Sequence, residues 1–266
     1  MKTIKLLTIV GVALSFSAVA QSADLTANEI IQRNFLAMRF VDSVSTAELK
    51  LISAQNDVRS RTISSQSRLD VNGVDVTRLT RFTAPAEIAG ISMLTVEQTG
   101  KDDGIWVYLP SMHRTRRIEA SDKDKPFLGT DFSLGDAMGF RPEDWTYGPI
   151  SSEMVDSQPC YVIDAKPASE AIGSSSGYSL RRMWIDKTSF VALKIETYDT
   201  DGSLLKRISA SDLRLLDAAR GRYQPMYLVV ENVQTSHKTE IRFTEFKVNV
   251  GVAAKDLTLE ALEMHE

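Results

Sequence analysis

Residues that could carry out catalysis or hold a metal are sparse in this sequence. His113, His237 and His265 lie far apart and form no cluster with metal-ligand spacing. No G-x-S-x-G elbow, P-loop, G-x-G-x-x-G or H-E-x-x-H motif occurs. Glu143 and Asp144 are typical of a helix start and a solvated surface. We therefore expect no catalytic residue, no metal and no cofactor, and a hydrolase is the least favoured class.

Cys160 is the single cysteine of the chain. It cannot form an internal disulfide, and it stands between Pro159 and Tyr161 without a His or Asn signature around it. We expect it to be a small buried apolar residue.

One local excess of positive charge is formed by Arg114, Arg116 and Arg117. Arginines in this arrangement could capture an anionic lipid head group or an acidic partner surface. The alternative is a solvated strand face. Because Arg116 and Arg117 must point to opposite faces of a strand, at most one of them shares a side with Arg114.

The segment Asp103 to Phe140 is the most informative part of the chain. Ile105 to Leu109 is an apolar run bounded by Asp-Gly and Pro110, which predicts a strand. Both of its faces are apolar, with Trp106 and Tyr108 on one of them. Something must therefore cover its second face, whether a helix, a second sheet or a ligand.

A short helix is predicted after this strand, where Ser133 and Asp136 form an acidic variant of the capping box. Two glycines weaken it. Its apolar residues suit either a movable lid or an ordinary core-capping turn. Our hypothesis is that Trp106 and Tyr108 line or floor an apolar cavity that this lid covers. The lid candidates are Phe132, Leu134, Met138 and Phe140.

An amphipathic helix is predicted near the N-terminus, over Ala27–Arg39. Thr26 and Glu29 form a capping box, and apolar residues follow at helical spacing. Phe35 and Met38 on this helix are further candidates for the cavity wall.

The rest of the chain alternates apolar and polar residues with a period of two. Asn72-Gly73 predicts a hairpin, and further strands recur at short spacing up to Val248. In Arg78-Leu79-Thr80, polar residues alternate with an apolar one. This pattern predicts a sheet with one face exposed to water and the other face curved around a core. Gly173–Gly177 is predicted to be a flexible loop. The pattern favours a mainly β fold in one domain, residues 21–266.

Length and charge narrow the class of partner. The chain has 266 residues, of which 43% are hydrophobic and 25% charged, with a net charge of −4. The acidic balance argues against a nucleic-acid partner, because such a partner requires a basic surface.

The first twenty residues predict a signal peptide. Lys2 and Lys5 precede an apolar run that ends in Ala18-Val19-Ala20, an A-x-A cleavage site. These lysines are its only charges, so the remainder carries −6. No cysteine is available for lipidation at the site. We expect a free periplasmic protein with no stable membrane insertion.

These features resemble the LolA-like periplasmic carriers. The resemblance rests on the N-terminal helix, the corner at Pro85 and the run D-G-x-W-x-Y-x-P from Asp103. Y-L-P-S-M-H-R-T-R-R-I followed by F-L-G-T-D-F-S is similar to the branch of outer-membrane lipoprotein-sorting proteins. The resemblance implies a half-open antiparallel β-barrel with a helical lid, and an apolar cavity for acyl chains without catalysis. It also implies association with RND-type (MMPL-like) inner-membrane exporters.

One position departs from the carriers. They have an arginine directly before the corner proline, where it bonds to the lid, whereas this chain has Ala84. The sequence therefore leaves two alternatives for the cargo, a lipoprotein and a free lipid. A lipid-sensing periplasmic regulator is the alternative function.

Overall fold

A single antiparallel sheet of fourteen strands dominates the computed structural model, which describes residues 25–119 and 124–264. The first seven strands are β1 Asp42–Ile52, β2 Val58–Leu69, β3 Val76–Ala84, β4 Ser92–Val96, β5 Gly104–Leu109, β6 Arg114–Arg117 and β7 Trp145–Tyr147. The others are β8 Ser151–Val155, β9 Gln158–Pro167, β10 Leu180–Asp186, β11 Ala192–Tyr198, β12 Leu204–Asp217, β13 Arg222–Asn232 and β14 His237–Val248.

The strand order makes the barrel half-open. The strands follow each other as β6-β5-β4-β3-β2-β1-β14-β13-β12-β11-β10-β9-β7, and β8 also pairs with β9. Strands β6 and β7 stand at opposite ends of this order instead of pairing with each other. The predicted mainly β, half-open antiparallel architecture is confirmed.

Four α-helices lie among the described residues: α1 Ala27–Ala37, α2 Leu134–Met138, α3 Glu170–Ser176 and α4 Leu259–Glu263. The capping boxes predicted for α1 and α2 are both present. Helix α1 ends two residues before the predicted Arg39, with Met38 as its C-cap.

The prediction of a flexible loop at Gly173–Gly177 was wrong. Ser169 caps α3 by accepting a bond from the Ile172 amide, and Gly177 ends the helix in the left-handed conformation. The run of serines in this segment is compatible with a loop or a helix. The capping residues on either side favour the helix.

The two faces of the sheet are covered by different parts of the chain. We call the face that packs against α1 and α2 the inner face. On it, Ser67 lies opposite Ser43 and Arg78, and Arg78 lies opposite Thr95. Further along, Ile63 lies between Ala47 and Phe82.

Arg78 and Thr80 were predicted on the wrong face. They lie on the inner face, whereas Leu79 lies on the outer face beneath residues 249–264. The prediction assumed that the apolar side of β3 faces the interior of the barrel. It fails because the C-terminal segment gives this part of the sheet a second apolar layer on the outside.

This outer layer is a separate hydrophobic cluster. Its buried members are Leu79, Leu94, Tyr108, Val252, Leu257 and Leu262, with Trp106 packed against them. The Arg81 guanidinium fastens the segment by donating to the carbonyls of Ala261 and Met264, each at 2.9 Å.

Strand β5 is covered on both faces, as its apolar residues predicted. The outer cluster covers Trp106 and Tyr108, while Leu134 and Met138 of α2 cover Ile105 and Val107.

Cys160 is fully buried beside Val162, Trp184 and Leu193, as predicted. Burial raises the pKa of its thiol, so the group remains an apolar packing residue.

The predicted signal peptide, residues 1–20, lies outside the described residues. Within the part of the chain that is described, none of the helices has the length and apolarity needed to cross a membrane.

The C-terminal layer generates a stability prediction. Leu262 is fully buried, so Leu262→Ala should lower the free energy of unfolding by about 2–5 kcal/mol in a urea titration. Leu259, on the same helix, is 41% exposed, and Leu259→Ala should change it by less than about 0.5 kcal/mol. Equal losses from both variants would show that α4 does not pack as described.

Candidate functional site

The middle of the inner face carries apolar side chains that are only partly covered. They come from strands β2, β12, β13 and β14. These half-buried residues are Ile63, Ile208, Leu228, Ile241, Phe243 and Phe246. Fully packed cores leave few voids, so a row of half-exposed apolar groups on a concave surface indicates an open space. We call this space the hollow.

Arg78 lies on the same face of the sheet as this apolar row. Burial lowers the pKa of its guanidinium, while nearby Glu97 raises the pKa and Arg39 lowers it. The side chain nevertheless remains exposed to solvent. Because Arg78 lies opposite Ser67 and Thr95 on the inner face, its exposed side chain is on the same side of the sheet as the hollow.

Helix α1 crosses one rim of the hollow. At one end Ile30 and Ile31 are fully buried in a cluster with Ile163 and Ile185. Near its middle the Asn34 side-chain amide donates to the Phe190 carbonyl at 2.7 Å.

Just beyond the helix, Arg39 fixes the chain to the opposite side of the sheet. Its guanidinium forms a 2.7 Å ion pair with Glu97 and donates to the carbonyl of Val74. It also lies 3.8 Å from the centre of the Phe35 ring. Helix α1 and Arg39 together therefore span the rim, from the end of β10 to the end of β4.

Residues 124–144, which we call the covering segment, cross the inner face. Near its start the Arg61 guanidinium donates to the Leu128 carbonyl. Asp131 bonds to Thr239 and to His237, the latter at 2.8 Å. These contacts tie the segment to β2 and β14.

A buried ion pair holds α2 to the far side of the barrel. The Lys206 ammonium lies 2.8 Å from Asp136, and both side chains are less than one tenth exposed. The Tyr178 hydroxyl donates to the same carboxylate at 2.9 Å. Asp136 of the covering segment is therefore bonded to β12 and to the residue two positions before β10.

The pKa values at this pair reflect opposing effects. Burial alone would raise the pKa of Asp136, but Lys206 and Arg181 hold it below its usual value of 3.8. Burial would likewise lower the pKa of Lys206, but Asp136 holds it above its usual value. Both groups are charged at neutral pH.

A second ionic anchor fixes the end of the covering segment. The Arg141 guanidinium lies 2.5 Å from Asp103 and 3.8 Å from Asp75. Both carboxylates belong to turns at the rim that α1 crosses, so the covering segment is held at both ends.

The structure separates the predicted cavity residues. Trp106 and Tyr108 lie on the outer face, whereas Leu134 and Met138 lie on the inner face of the same strand. The hypothesis that the first pair lines a cavity beneath the second was therefore wrong. Neighbouring residues of a strand point to opposite faces, and sequence alone did not show which face the hollow occupies.

The other cavity candidates lie on or beside the covering elements. Phe140 stacks on Trp145 with ring centres 5.6 Å apart, and Phe132 is half-buried. Phe35 is half-buried beneath Arg39, while Met38 is 46% exposed. Their contact with a ligand stays a prediction.

The basic cluster lies away from the hollow, on the edge strand β6. All three of its arginines are exposed. Arg114 and Arg116 lie opposite Leu109 and Val107, whereas Arg117 lies opposite Trp106, over whose ring it packs. As predicted, only one of the two later arginines shares a face with Arg114.

Sequence reasoning missed the residues that bond the covering segment to the sheet. Arg61 and Lys206 stand in alternating strands, where a polar residue is normally interpreted as solvent-facing, and Tyr178 lies just before β10. The available signal for these contacts was an arginine or lysine within a strand of otherwise regular alternation.

Two clefts open beside the covering elements. One, of about 110 Å³, lies between α2 and α3 and is lined in part by Asp136, Tyr178 and Arg181. The other, of about 320 Å³, lies between α1 and the turns at Thr188 and Arg220. Within the described ranges, no group of three or more His, Cys, Asp or Glu residues could hold a metal ion.

Solved structures share this architecture. A domain from Vibrio parahaemolyticus, described as an outer membrane lipoprotein-sorting protein domain, is 27% identical with a TM-score of 0.81, covering 89% of this chain and 98% of that one. A DUF1329 family protein from Desulfovibrio piger is 25% identical with the same score, covering 88% and 97%. A LolA superfamily protein from Nitrosomonas europaea is 17% identical with a TM-score of 0.67, covering 90% and 100%, and shows the fold alone.

A search of curated proteins finds no match. A family model, described as an uncharacterized protein family, matches residues 75–264, which include most strands of the hollow, the covering segment and the C-terminal layer. The chain therefore belongs to this family of uncharacterized proteins, and its fold is LolA-like.

Proposed function

We propose that this protein is a periplasmic carrier that binds acyl chains of a lipoprotein or lipid in the hollow and moves them toward the outer membrane. The observation that carries the proposal is the half-exposed apolar row on the inner face, centred on Phe243. A row of this kind beneath an anchored cover suits a ligand that is apolar along its length.

The affinity of such a site comes from burial of the chain. Each buried CH₂ group contributes about 0.8 kcal/mol, so a partly enclosed acyl chain supplies useful binding energy. Release requires a second conformation with lower affinity. The covering segment is suited to this change because side-chain contacts at Arg61, Asp136 and Arg141 tie it to the sheet.

The finer parts of the proposal rest on similarity and sequence. The lipoprotein-sorting description of the Vibrio relative supports acyl cargo. The sequence of residues 1–20 supports export, and the branch resemblance supports partnership with an RND-type inner-membrane transporter. The residues described give no support to a catalytic alternative, so we propose binding without chemistry.

The cargo class can be tested on protein purified from its native periplasm. Organic extraction followed by mass spectrometry should recover an acylated molecule in near-stoichiometric amount. A protein that carries no acylated molecule and binds none when palmitate is added would overturn the carrier proposal.

The location of the site generates a first binding prediction. Phe243→Ala removes an aromatic ring from the hollow and should weaken palmitate binding roughly tenfold, measured by displacement of a fluorescent fatty acid. Trp106→Ala removes a larger ring from the outer face. It should cost about 3 kcal/mol of unfolding free energy and leave palmitate affinity unchanged. The opposite pattern would place the ligand on the outer face.

The buried ion pair generates a second prediction. Asp136→Asn keeps an oxygen that can accept the Ser133 amide bond but leaves Lys206 buried without its anion. Unfolding free energy at pH 7 should fall by about 3–5 kcal/mol. Asp212→Asn is the control, since its pair with Arg214 is exposed, and should cost less than about 1 kcal/mol.

The same pair predicts a pH dependence. Because the pKa of Asp136 is lower in the folded protein than in the unfolded chain, its contribution is complete above its usual pKa. That contribution is lost as the pH falls through the folded value. The stability difference between wild type and Asp136→Asn should therefore be constant above about pH 5 and shrink at lower pH. A difference that grows on acidification would contradict the assignment.

A further inference from the structure

The hollow has a polar end as well as an apolar one. Along the inner face of β1 to β4, one row across the strands consists of Ser43, Ser67, Arg78 and Thr95. The next row contains Ser45, Ser65, Thr80 and Met93. The row after that is apolar, with Ala47, Ile63 and Phe82. Over these three rows polarity falls away from the rim that α1 crosses. The following row carries Arg61, whose guanidinium donates to the Leu128 carbonyl of the covering segment.

The hydroxyl groups of the polar end bond largely to each other. Ser43 and Ser67 share a hydrogen bond of 2.7 Å, and Ser65 and Thr80 share one of 3.1 Å. None of them donates to or accepts from the Arg78 guanidinium. The polar rows thus provide a hydrogen-bonded wall beside Arg78.

The charge of Arg78 has no partner among the described residues. Its guanidinium takes part in no hydrogen bond or ion pair there. The nearby carboxylate is Glu97, which already pairs with Arg39 at 2.7 Å and accepts from the Val76 amide at 3.1 Å. Because Arg39 and Glu97 neutralise each other, no described residue compensates the positive charge of Arg78 through an ion pair.

An uncompensated arginine beside an apolar surface is well suited to an amphiphile with an anionic head. A guanidinium binds carboxylate or phosphate in a bidentate manner, with charge-assisted hydrogen bonds. An acyl chain extending from such a head at Arg78 would run along the strands toward the half-buried Ile63 and Phe243. This is the direction in which the inner face becomes apolar.

We infer that the ligand is an anionic amphiphile, with a carboxylate or phosphate head group bound by Arg78 and its acyl chain in the apolar part of the hollow. The inference rests on the proposed carrier function and narrows it. The acyl chains of a lipoprotein are joined to its cysteine through ester and amide groups that carry no negative charge. The geometry therefore favours a free anionic lipid over a lipoprotein as cargo.

The experiment compares ligands that share one chain length. The probes are palmitate, palmitoyl lysophosphatidate, neutral monopalmitoylglycerol and a synthetic tripalmitoyl-cysteinyl peptide, titrated below their micelle concentrations by calorimetry. The wild type should bind at least one anionic probe at least about tenfold more tightly than both uncharged-head probes. Preference for palmitate or for lysophosphatidate distinguishes a fatty acid from a phospholipid source.

The variants assign the preference to Arg78. Arg78→Gln should reduce anionic affinity about tenfold and leave the neutral probe unaffected, whereas Arg78→Lys should retain most of the preference. Arg242→Gln removes the same charge from an exposed arginine on the outer face of β14 and should change nothing. Thermal unfolding of each variant verifies that it is folded.

Two results would overturn the inference. If the wild type binds neutral and lipopeptide probes as tightly as anionic ones, or if Arg78→Gln keeps the preference, Arg78 is not a head-group site and the carrier proposal still stands. If none of the four probes binds, the carrier proposal fails together with the inference.

Discussion

The structure depends on how one concave sheet face is covered. Burying apolar surface stabilises the fold, and complete cover would produce an ordinary core. Here α1 packs on the inner face of β9 and β10, and α2 packs on that of β4 and β5. The strands between them keep apolar side chains half-exposed. The fold is thus stabilised at its two flanks, and the apolar side chains in its middle remain half-exposed.

The cover is held by specific polar contacts in addition to the apolar packing of α2. The covering segment is bonded to the sheet at Arg61, Asp136 and Arg141. These hydrogen bonds and ion pairs are directional. Their polar groups can bond instead to water or to a partner when the covering segment moves. Arg61 makes the bond to the cover although Ala84 stands before the corner proline. A bond between an arginine and the covering segment is therefore present in this chain, on the strand next to the one that carries Ala84.

Much of the architecture could be predicted from local sequence. Alternation identified the sheet, Asn72-Gly73 its hairpin, and the Thr26 and Ser133 capping boxes the starts of α1 and α2. The site could not be located in this way, because alternation shows that residues share a face but not which face is enclosed. The C-terminal layer reversed the expected assignment at Leu79, so that Trp106 proved to be outside and Arg78 inside. That layer depends on contacts between residues far apart in the chain.

The central claim is that acyl chains occupy the inner face. Photo-crosslinking with a fatty acid that carries a diazirine at its chain end, followed by peptide mass spectrometry, tests it most directly. The account predicts labels on inner-face residues of the central strands, such as Ile63, Ile241 and Phe243, which excess palmitate removes. Labels confined to the outer face around Trp106 and Leu262, or labelling that palmitate does not compete away, would contradict it.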